Sequence, residues 1–452
     1  MSETEKVPVL PEGPASPPLV QLLNWLLRPV PFLEECQRRY GDDFTIRFYG
    51  FPPLVFFSSP EAVQQIFRAP GEVMRSGNVS LEYLIGEHSL LLLDGPRHLQ
   101  HRRLMLPAFQ GERHDQYFQT IRDIARRTLA SWHHRRRFAL HREMQLITLE
   151  VVLRTVFGFE EDAEVSWLLA RFPRFLELMS KPLLRFNSLQ VELGGLAPWG
   201  QAMRLKREID ARIYAQIAET RAAVASGATR RSDILTRFVE ARDEEGAALT
   251  DDELRDEMMT LLVAGHETTA LSLTWVFYRL LRHPEVCERV TAEVREVVGE
   301  GPLQPEHLRR LAYTEAVFKE TLRLNPVFPL VIRRIAGPVR IGGYDLGPGI
   351  FVAPCLFLAH RRPEAWQEPL EFRPERFLDE RTDGSRYFPF GGGTHGCIGP
   401  PFAVYEMKIV LAEILSAFRM RSAARRPTRI VRRGVTLAPS SGLPVEVEPL
   451  GG

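Results

Sequence analysis

The sequence lacks the features that mark several common classes of protein. Its four cysteines lie far apart and form no CxxC pair, which argues against a disulfide framework or a zinc module. With 58 basic and 57 acidic residues, it has no global charge to attract nucleic acid or an anionic membrane. The apolar run 19–27 is too short to cross a bilayer, which needs about 20 residues. We therefore expect a cytoplasmic globular protein with no membrane anchor and no nucleic-acid partner.

What is present indicates one large, mostly helical unit. Residues 1–18 contain five prolines and several charges, which predicts a disordered tail. Alternating aromatic and β-branched residues at 41–57 predict a β-hairpin. Helical patterns dominate residues 60–324, and short β-like runs between glycines and prolines follow Pro326. No internal repeat or linker is visible, so we predict one domain over residues 19–452, mainly α with a minor β part.

The clearest single element is a long helix in the middle of the chain. Thr250 and Glu253 fit a capping box at its start, and apolar positions continue to Leu281 before Pro284 ends it. A helix this long and this apolar is predicted to run through the interior rather than on the surface. Any chemistry on it is therefore expected to be internal.

The segment with the strongest chemical content is FPFGGGTHGCIG, residues 388–399. It places Cys397 at the end of a glycine-rich loop, directly before a predicted helix from about residue 401 to 418. Glycines allow a backbone to approach a flat cofactor closely, and a helix N-terminus favours a thiolate. The alternative is an ordinary glycine-rich turn with an inert cysteine.

The string FGGGTHGCIG, which ends at Gly399, resembles the haem-binding loop of the cytochrome P450 superfamily. Three further segments resemble the family in the same order, over about residues 25–450. The resemblance implies the P450 fold, with haem b (iron protoporphyrin IX) between the long helix and the helix after the loop. It also implies that Cys397 is the axial ligand of the haem iron and that Phe390 and Gly391 contact the haem.

The first further segment is AGHETT, residues 264–269, inside the long helix. By resemblance, Thr268 would hydrogen-bond the oxygen that is being activated and Glu267 would relay protons to it. Gly265 weakens a helix by about 1 kcal/mol relative to alanine, and a Gly–Thr stretch is able to open the backbone ladder. The alternative is that Thr268 and Thr269 only bond back to carbonyls one turn earlier.

The second and third segments are ETLR, which begins at Glu320, and FRPERF at residues 372–377. Alone, Glu320 and Arg323 would be a surface pair worth about 0–1 kcal/mol. The resemblance instead implies a buried structural network of Glu320, Arg323 and Arg376 around the cofactor core.

Haem propionates need cationic or hydrogen-bonding partners. His98 and Arg102 stand four residues apart on a predicted helix and so share a face. The resemblance assigns both to the propionates, together with Arg333 of the β part and His395 of the loop. The alternative for each of them is an ordinary surface cation.

Thr260, Ala264 and Thr268 follow one another at four-residue spacing, so Thr260 and Ala264 are expected to line the substrate pocket. By resemblance, Phe328 and Leu330 line it as well, although Phe328 is equally compatible with core packing. This lining indicates a hydrophobic substrate such as a terpenoid, steroid or fatty acid.

The implied activity is that of a haem-thiolate monooxygenase, which uses O2 to hydroxylate or epoxidise its substrate. No flavin or iron–sulfur segment is recognisable, so electrons are expected from a separate ferredoxin or flavodoxin with its NAD(P)H reductase. Two alternatives remain: a peroxygenase, isomerase or dehydratase of the same family that needs no redox partner, and a non-enzymatic haem-binding protein. The acid–alcohol pair Glu267 and Thr268 favours the monooxygenase.

The chain departs from the family pattern after the loop, where Pro400 and Pro401 lack N–H groups. Ile398 and Gly399 are left as the expected donors to the Cys397 sulfur. Fewer donors leave more electron density on sulfur, so we predict a haem that is harder to reduce.

Overall fold

The protein is described from a computed structural model that covers residues 9–78, 81–110, 112–180, 197–227, 233–378 and 384–450. Helices dominate these ranges, as the sequence predicts. The α-helices are α1 (Pro18–Leu27), α2 (Pro29–Tyr40), α3 (Pro60–Arg68), α4 (Glu82–Ile85), α5 (Gly95–Met105), α6 (Phe118–Trp132), α7 (Leu140–Thr155), α8 (Asp162–Met179), α9 (Pro198–Ala225), α10 (Ile234–Glu240), α11 (Asp251–Leu280), α12 (Pro284–Val298), α13 (Pro305–Leu308), α14 (Ala312–Leu324), α15 (Leu356–Ala359) and α16 (Pro400–Ala417).

The strands form small sheets at the edge of the helical part, and the predicted minor β part is confirmed. They are β1 (Asp43–Ile46), β2 (Leu54–Phe57), β3 (Met74–Ser76), β4 (Arg137–Ala139), β5 (Arg333–Ile335), β6 (Val339–Ile341), β7 (Tyr344–Leu346), β8 (Phe351–Pro354), β9 (Phe418–Ser422), β10 (Ile430–Arg433), β11 (Thr436–Pro439) and β12 (Pro444–Pro449).

The largest described sheet has five strands in the order β1-β2-β8-β5-β3. The antiparallel pair β1–β2, with Asp43 opposite Phe57, is the predicted hairpin of residues 41–57. β2 and β8 are parallel, while β5 runs antiparallel to both β8 and β3. The other described sheets are β4-β12-β9, β10-β11 and β6-β7. The order in the five-stranded sheet carries Arg333, the first residue of β5, into the interior.

Helix α11 is the centre of the helical part. The predicted capping box is present, because Thr250 Oγ1 accepts the Glu253 N–H at 3.2 Å and the Glu253 carboxylate accepts the Thr250 N–H at 2.9 Å. The helix ends at Leu280, as the pattern predicts, and helices α7, α9, α14 and α16 pack against it. Most of its side chains are buried, so the prediction of an interior helix is confirmed.

The tail predicted for residues 1–18 is described from residue 9 onward. There the chain packs against the first sheet: the Thr45 N–H donates to the Glu12 carbonyl at 3.0 Å, and the Thr45 hydroxyl donates to the Pro11 carbonyl at 2.7 Å. Gly13 lies so close to Thr45 that a Cβ atom would meet its carbonyl oxygen. Residues 9–17 are thus held on the body of the fold. Across the described residues, no helix has the length and apolarity needed to cross a membrane.

Candidate active site

The loop before α16 folds back on itself around Cys397. The Cys397 N–H donates to the Phe390 carbonyl at 3.0 Å, and the Gly391 N–H donates to the Phe388 carbonyl at the same distance. Gly391 and Gly393 both have positive φ, 71° and 68°, a region that favours glycine. The glycines therefore fix the turn that presents the cysteine.

Helix α3 explains why two of these glycines have no side chain. A Cβ atom on Gly393 would lie 1.9 Å from the Phe67 carbonyl oxygen, and one on Gly392 would lie 2.6 Å from the Phe67 ring. Both distances are far inside van der Waals contact. The loop is therefore seated directly on the C-terminal part of α3.

The sulfur of Cys397 receives one described hydrogen bond. The Gly399 N–H donates to Sγ at 3.3 Å, and α16 begins one residue later at Pro400. This agrees with the expectation for Gly399, whereas no such bond from Ile398 is found among the described contacts. The Cys397 residue is partly open to solvent, yet many protein atoms surround the sulfur. Burial therefore raises the pKa of the Cys397 thiol, against the opposing effects of Gly399 and Arg102. A metal ion on the sulfur would supply the positive charge that favours the thiolate.

Four cationic or imidazole side chains meet beside this loop. Arg102 donates to the Gly396 carbonyl at 2.6 Å, and the rings of His98 and His395 lie 4.0 Å apart. Arg333 is buried, and its described hydrogen bond goes to the carbonyl of the preceding residue at 3.1 Å. The structure thus brings together the four residues that the sequence assigned to the propionates.

This cluster has an excess of positive potential. Burial lowers the pKa of His98 to about 4 and that of Arg333 to about 10. Arg102 and Arg333 lower the pKa of His98 further by repulsion. Among the described residues, the carboxylate in contact with the cluster is Asp94, at 3.6 Å from His395 Nε2. A ligand with two carboxylates, such as haem, fits this charge distribution, and the sulfur of Cys397 fits its iron.

Helix α11 carries the predicted acid–alcohol pair, Glu267 and Thr268. The Thr268 hydroxyl donates to the Ala264 carbonyl, which is the bond of the simpler alternative, and leaves its oxygen free to accept a second bond. The Glu267 carboxylate accepts a hydrogen bond from Gln145 Nε2 at 2.7 Å and contacts His141 Nε2 at 3.3 Å, both on α7. Burial opposes ionisation, but these partners outweigh it, so the pKa of Glu267 is lowered.

Gly265 has a role that differs from the expectation. The helix is continuous from Asp251 to Leu280, without a 3-10 or π segment at the Gly–Thr stretch. A Cβ atom on Gly265 would lie 3.2 Å from Val152 Cγ2 of α7. The absence of a side chain therefore lets α7 approach α11 closely, and the helix backbone remains intact.

The predicted pocket residues occupy different surroundings. Thr260 is buried, and its hydroxyl contacts Ser89 Oγ at 2.6 Å. Its neighbour Leu261 is partly exposed, as are Ala264 and Thr268, although α11 lies in the interior. Such accessibility on a central helix indicates an internal cavity along this strip. Phe328 and Leu330 are also partly exposed, and each packs beside a buried apolar cluster.

The structure also joins the three predicted network residues. Arg323 Nε and Nη2 donate to Glu320 at 2.7 and 2.8 Å, and Arg376 Nε donates to Glu320 Oε1 at 3.1 Å. Glu320 and Arg323 are fully buried. The network ties α14 to the segment that contains Arg376, close to the start of the Cys397 loop.

Comparison with known proteins identifies the family. The family model described as Cytochrome P450 matches residues 11–444. The chain belongs to the cytochrome P450 family. It is 35% identical to the putative cytochrome P450 135B1 of Mycobacterium bovis. The 447 aligned residues cover 97% of this chain and 91% of that protein. It is also 35% identical to the putative cytochrome P450 137 of Mycobacterium tuberculosis, over 91% of this chain and 84% of that protein.

Solved P450 structures share the fold over nearly the whole chain. A retinoic-acid-bound cyanobacterial P450, CYP120A1, superposes with a TM-score of 0.85 at 24% identity, over 99% of this chain and 100% of the other. The haem domain of cytochrome P450DA gives a TM-score of 0.84 at 22% identity, over 99% of each chain. The predicted P450 fold is therefore confirmed. As a member of the family, the protein is a haem-binding monooxygenase that acts on a small molecule with O2 and a redox partner.

Several site residues were not found from the sequence. His141 and Gln145 contact Glu267, and Phe67 lies against the Cys397 loop. All three come from distant parts of the chain, and no local motif marks them. Asp94 directly precedes α5, the helix of His98 and Arg102, and no sequence pattern marks it. His266 stands inside the AGHETT segment, so its position was visible but its buried role was not.

Proposed function

We propose that this P450 inserts one oxygen atom into a hydrophobic small molecule of the terpenoid, steroid or fatty-acid class, by hydroxylation or epoxidation. The observation that carries this proposal is the partly exposed strip on α11, where Leu261, Val263 and Ala264 are accessible inside the fold. Phe328 and Leu330 add further apolar surface, and Thr260 lies at its edge. An apolar lining with few polar groups binds an apolar ligand by burying its surface.

The residues around the loop are assigned to the cofactor. Cys397 would ligate the iron, Phe390 and Gly391 would contact the porphyrin, and His98, Arg102, Arg333 and His395 would hold the propionates. Haem with a thiolate ligand supplies the chemistry that cleaves dioxygen and attacks C–H bonds. The protein's own task is to orient the substrate and to exclude bulk water.

Proton supply is assigned to Glu267 and Thr268. The Thr268 hydroxyl already donates to the Ala264 carbonyl, so its free lone pairs are able to accept a proton from an acid beside it. Glu267 is the neighbouring acid on α11, and its side chain remains 21% exposed. A positioned acid of this kind typically contributes about 10²- to 10⁴-fold to rate.

Electrons are assigned to a separate ferredoxin or flavodoxin with its NAD(P)H reductase, in the cytoplasm. The family acts with a redox partner, and the described cysteines of this chain are free thiols at separate places in the fold.

Two measurements test the proposal. Reduced protein with carbon monoxide should give the red-shifted absorption band of sulfur ligation, and Cys397→Ser should abolish that band. Terpenoids, steroids and fatty acids are then screened for a shift of the haem band, and the best ligand is incubated with NADPH, reductase and ferredoxin. Product formed only with this reducing system supports the monooxygenase, whereas full turnover with hydrogen peroxide and none with reductase contradicts it.

A further inference from the structure

The surroundings of Glu267 contain two buried imidazoles whose protons are fixed by neighbouring threonines. His141 lies on α7 and His266 on α11, and their side chains are 3% and 1% exposed. His141 Nε2 lies 3.3 Å from Glu267 Oε1, and His266 Nε2 lies 4.0 Å from Glu267 Oε2. The carboxylate therefore has an imidazole nitrogen on the side of each oxygen.

Thr274 determines which nitrogen of His141 carries a permanent proton. The Thr274 hydroxyl donates its single proton to the Ala270 carbonyl at 2.6 Å. The 3.2 Å contact between Thr274 Oγ1 and His141 Nδ1 must then use an Nδ1–H donor. His141 is thus fixed with Nδ1 protonated, and its other nitrogen, Nε2, lies on the side of Glu267.

The same argument places a proton on Nδ1 of His266, but this ring has no proton to share with Glu267. Thr148 donates to the His266 carbonyl at 3.0 Å, so its 3.2 Å contact with His266 Nδ1 requires an Nδ1–H donor. Nε2 of His266 is buried and has no hydrogen-bond partner among the described residues. Burial lowers the pKa of His266 to about 4, so this ring stays neutral near pH 7. His266 therefore does not compete for a proton with the His141–Glu267 pair.

The His141–Glu267 contact is most stable with one proton shared between the two side chains. Without it, the Nε2 lone pair and the carboxylate lone pairs would face each other at 3.3 Å in a mostly buried place. The 3.3 Å separation is that of an ion pair, and His141 Nε2 makes no hydrogen bond with the described residues. Gln145, which donates to Oε2 at 2.7 Å, holds the carboxylate in position from the other side.

We propose that His141 is a positioning residue that stores this proton for Glu267, so that the pair rather than Glu267 alone forms the acid beside Thr268. In the transfer, the Nε2–H bond of His141 breaks and an O–H bond forms on Glu267 Oε1. Both groups are then neutral, and His141 keeps its Nδ1–H bond to Thr274. Once Glu267 has passed the proton toward Thr268, a proton from water enters through its exposed part and restores the pair. The inference rests on the proposed role of Glu267.

The test compares His141→Phe, which removes the proton and the contact, with His141→Gln, which keeps an N–H donor that does not release its proton. His114→Phe is the matched control, because His114 is also buried and hydrogen-bonded, to the Phe109 carbonyl at 3.1 Å, but has no described contact with Glu267. Each haem-loaded variant is assayed with NADPH, reductase and ferredoxin for product and for released hydrogen peroxide. We expect both His141 variants to form product on the order of 10²-fold more slowly and to release more peroxide, and the control to match the wild type.

An infrared readout separates this role from a structural one. Removal of His141 takes away a partner that lowers the pKa of Glu267, so in His141→Phe the change from the carboxylate band to the protonated-carboxyl band should occur at a higher pH than in the wild type. The additional change Glu267→Gln should abolish that band. A ratio of product to hydrogen peroxide in His141→Gln equal to that of the wild type would overturn proton storage. A carboxylate band in His141→Phe that changes at the same pH as in the wild type would overturn it as well. Failure of the proposed function is distinguishable, because the carbon monoxide band would then be absent from the wild type as well.

Discussion

Replacement of Arg323 by leucine removes the central member of the buried network. Its guanidinium makes two hydrogen bonds to Glu320 and three to the carbonyls of His360, Pro369 and Glu371. Without it, the partners left to the fully buried Glu320 among the described residues are the side chain of Arg376 and one backbone N–H. Loss of one partner from a buried ion pair costs about 3–5 kcal/mol, because the other charge stays buried.

The size of the effect is measurable as a melting temperature. Unfolding entropy is about 2.1 cal/mol/K per residue, or roughly 1 kcal/mol/K for a chain of 452 residues. We therefore expect the Tm of the haem-loaded protein, followed by far-UV circular dichroism, to fall by about 3–5 °C. The matched control is Arg340→Leu, because Arg340 pairs with Asp345 at 3.4 Å on the surface and should lose about 1 °C or less.

Two results would refute this reasoning. An equal Tm for the Arg323 and Arg340 variants would mean that the buried network does not stabilise the fold. A double variant, Glu320→Gln with Arg323→Leu, should recover part of the loss because the stranded charge is gone. A further drop in Tm for the double variant would show that packing, rather than the unpaired charge, sets the cost.

Three further predictions concern the loop and a buried histidine. Gly393→Ala places a Cβ atom 1.9 Å from the Phe67 carbonyl oxygen at a positive φ, so haem content should collapse, whereas Gly399→Ala, with open space and negative φ, should retain it. Pro400→Ala restores a possible donor near the Cys397 sulfur and should raise the haem potential; an unchanged redox titration would contradict this. Burial lowers the pKa of His360 to about 3, so the native state binds fewer protons than the unfolded one. Stability should then fall by up to about 1.4 kcal/mol per pH unit as pH drops from about 6.5 toward 3, and His360→Gln should flatten that slope in acid titrations followed by circular dichroism.

The parts of the fold that could be predicted from the sequence are those set by local chemistry. The capping box at Thr250 needs only residues three positions apart, and the hairpin of residues 41–57 needs only alternation and turn residues. The Cys397 loop is equally local, since its turn depends on glycines within a few residues. Such features can be predicted because the residues that determine them are close together in the sequence.

The position of Thr260 shows where a local argument becomes inaccurate. Residues four apart on an α-helix are separated by about 40° beyond a full turn, so Thr260 and Thr268 differ by about 80° around the axis. That rotation turns Thr260 toward Ser89 and brings Leu261 onto the accessible strip with Ala264 and Thr268. The pocket role of Thr260 stays a prediction, and Leu261 is the accessible residue beside it on the helix.

The partners of Glu267 depend on how closely two helices pack, which no single segment encodes. Gly265 allows α7 to lie against α11 with Val152 in the space that a side chain would fill. The same approach brings Gln145 to 2.7 Å from the carboxylate and His141 to 3.3 Å. A glycine that appears in the sequence as a weak point of the helix thus lies, in the folded protein, where α7 packs closely against α11. Two of the partners that lower the pKa of Glu267, His141 and Gln145, thus come from α7, which is distant from AGHETT in the sequence.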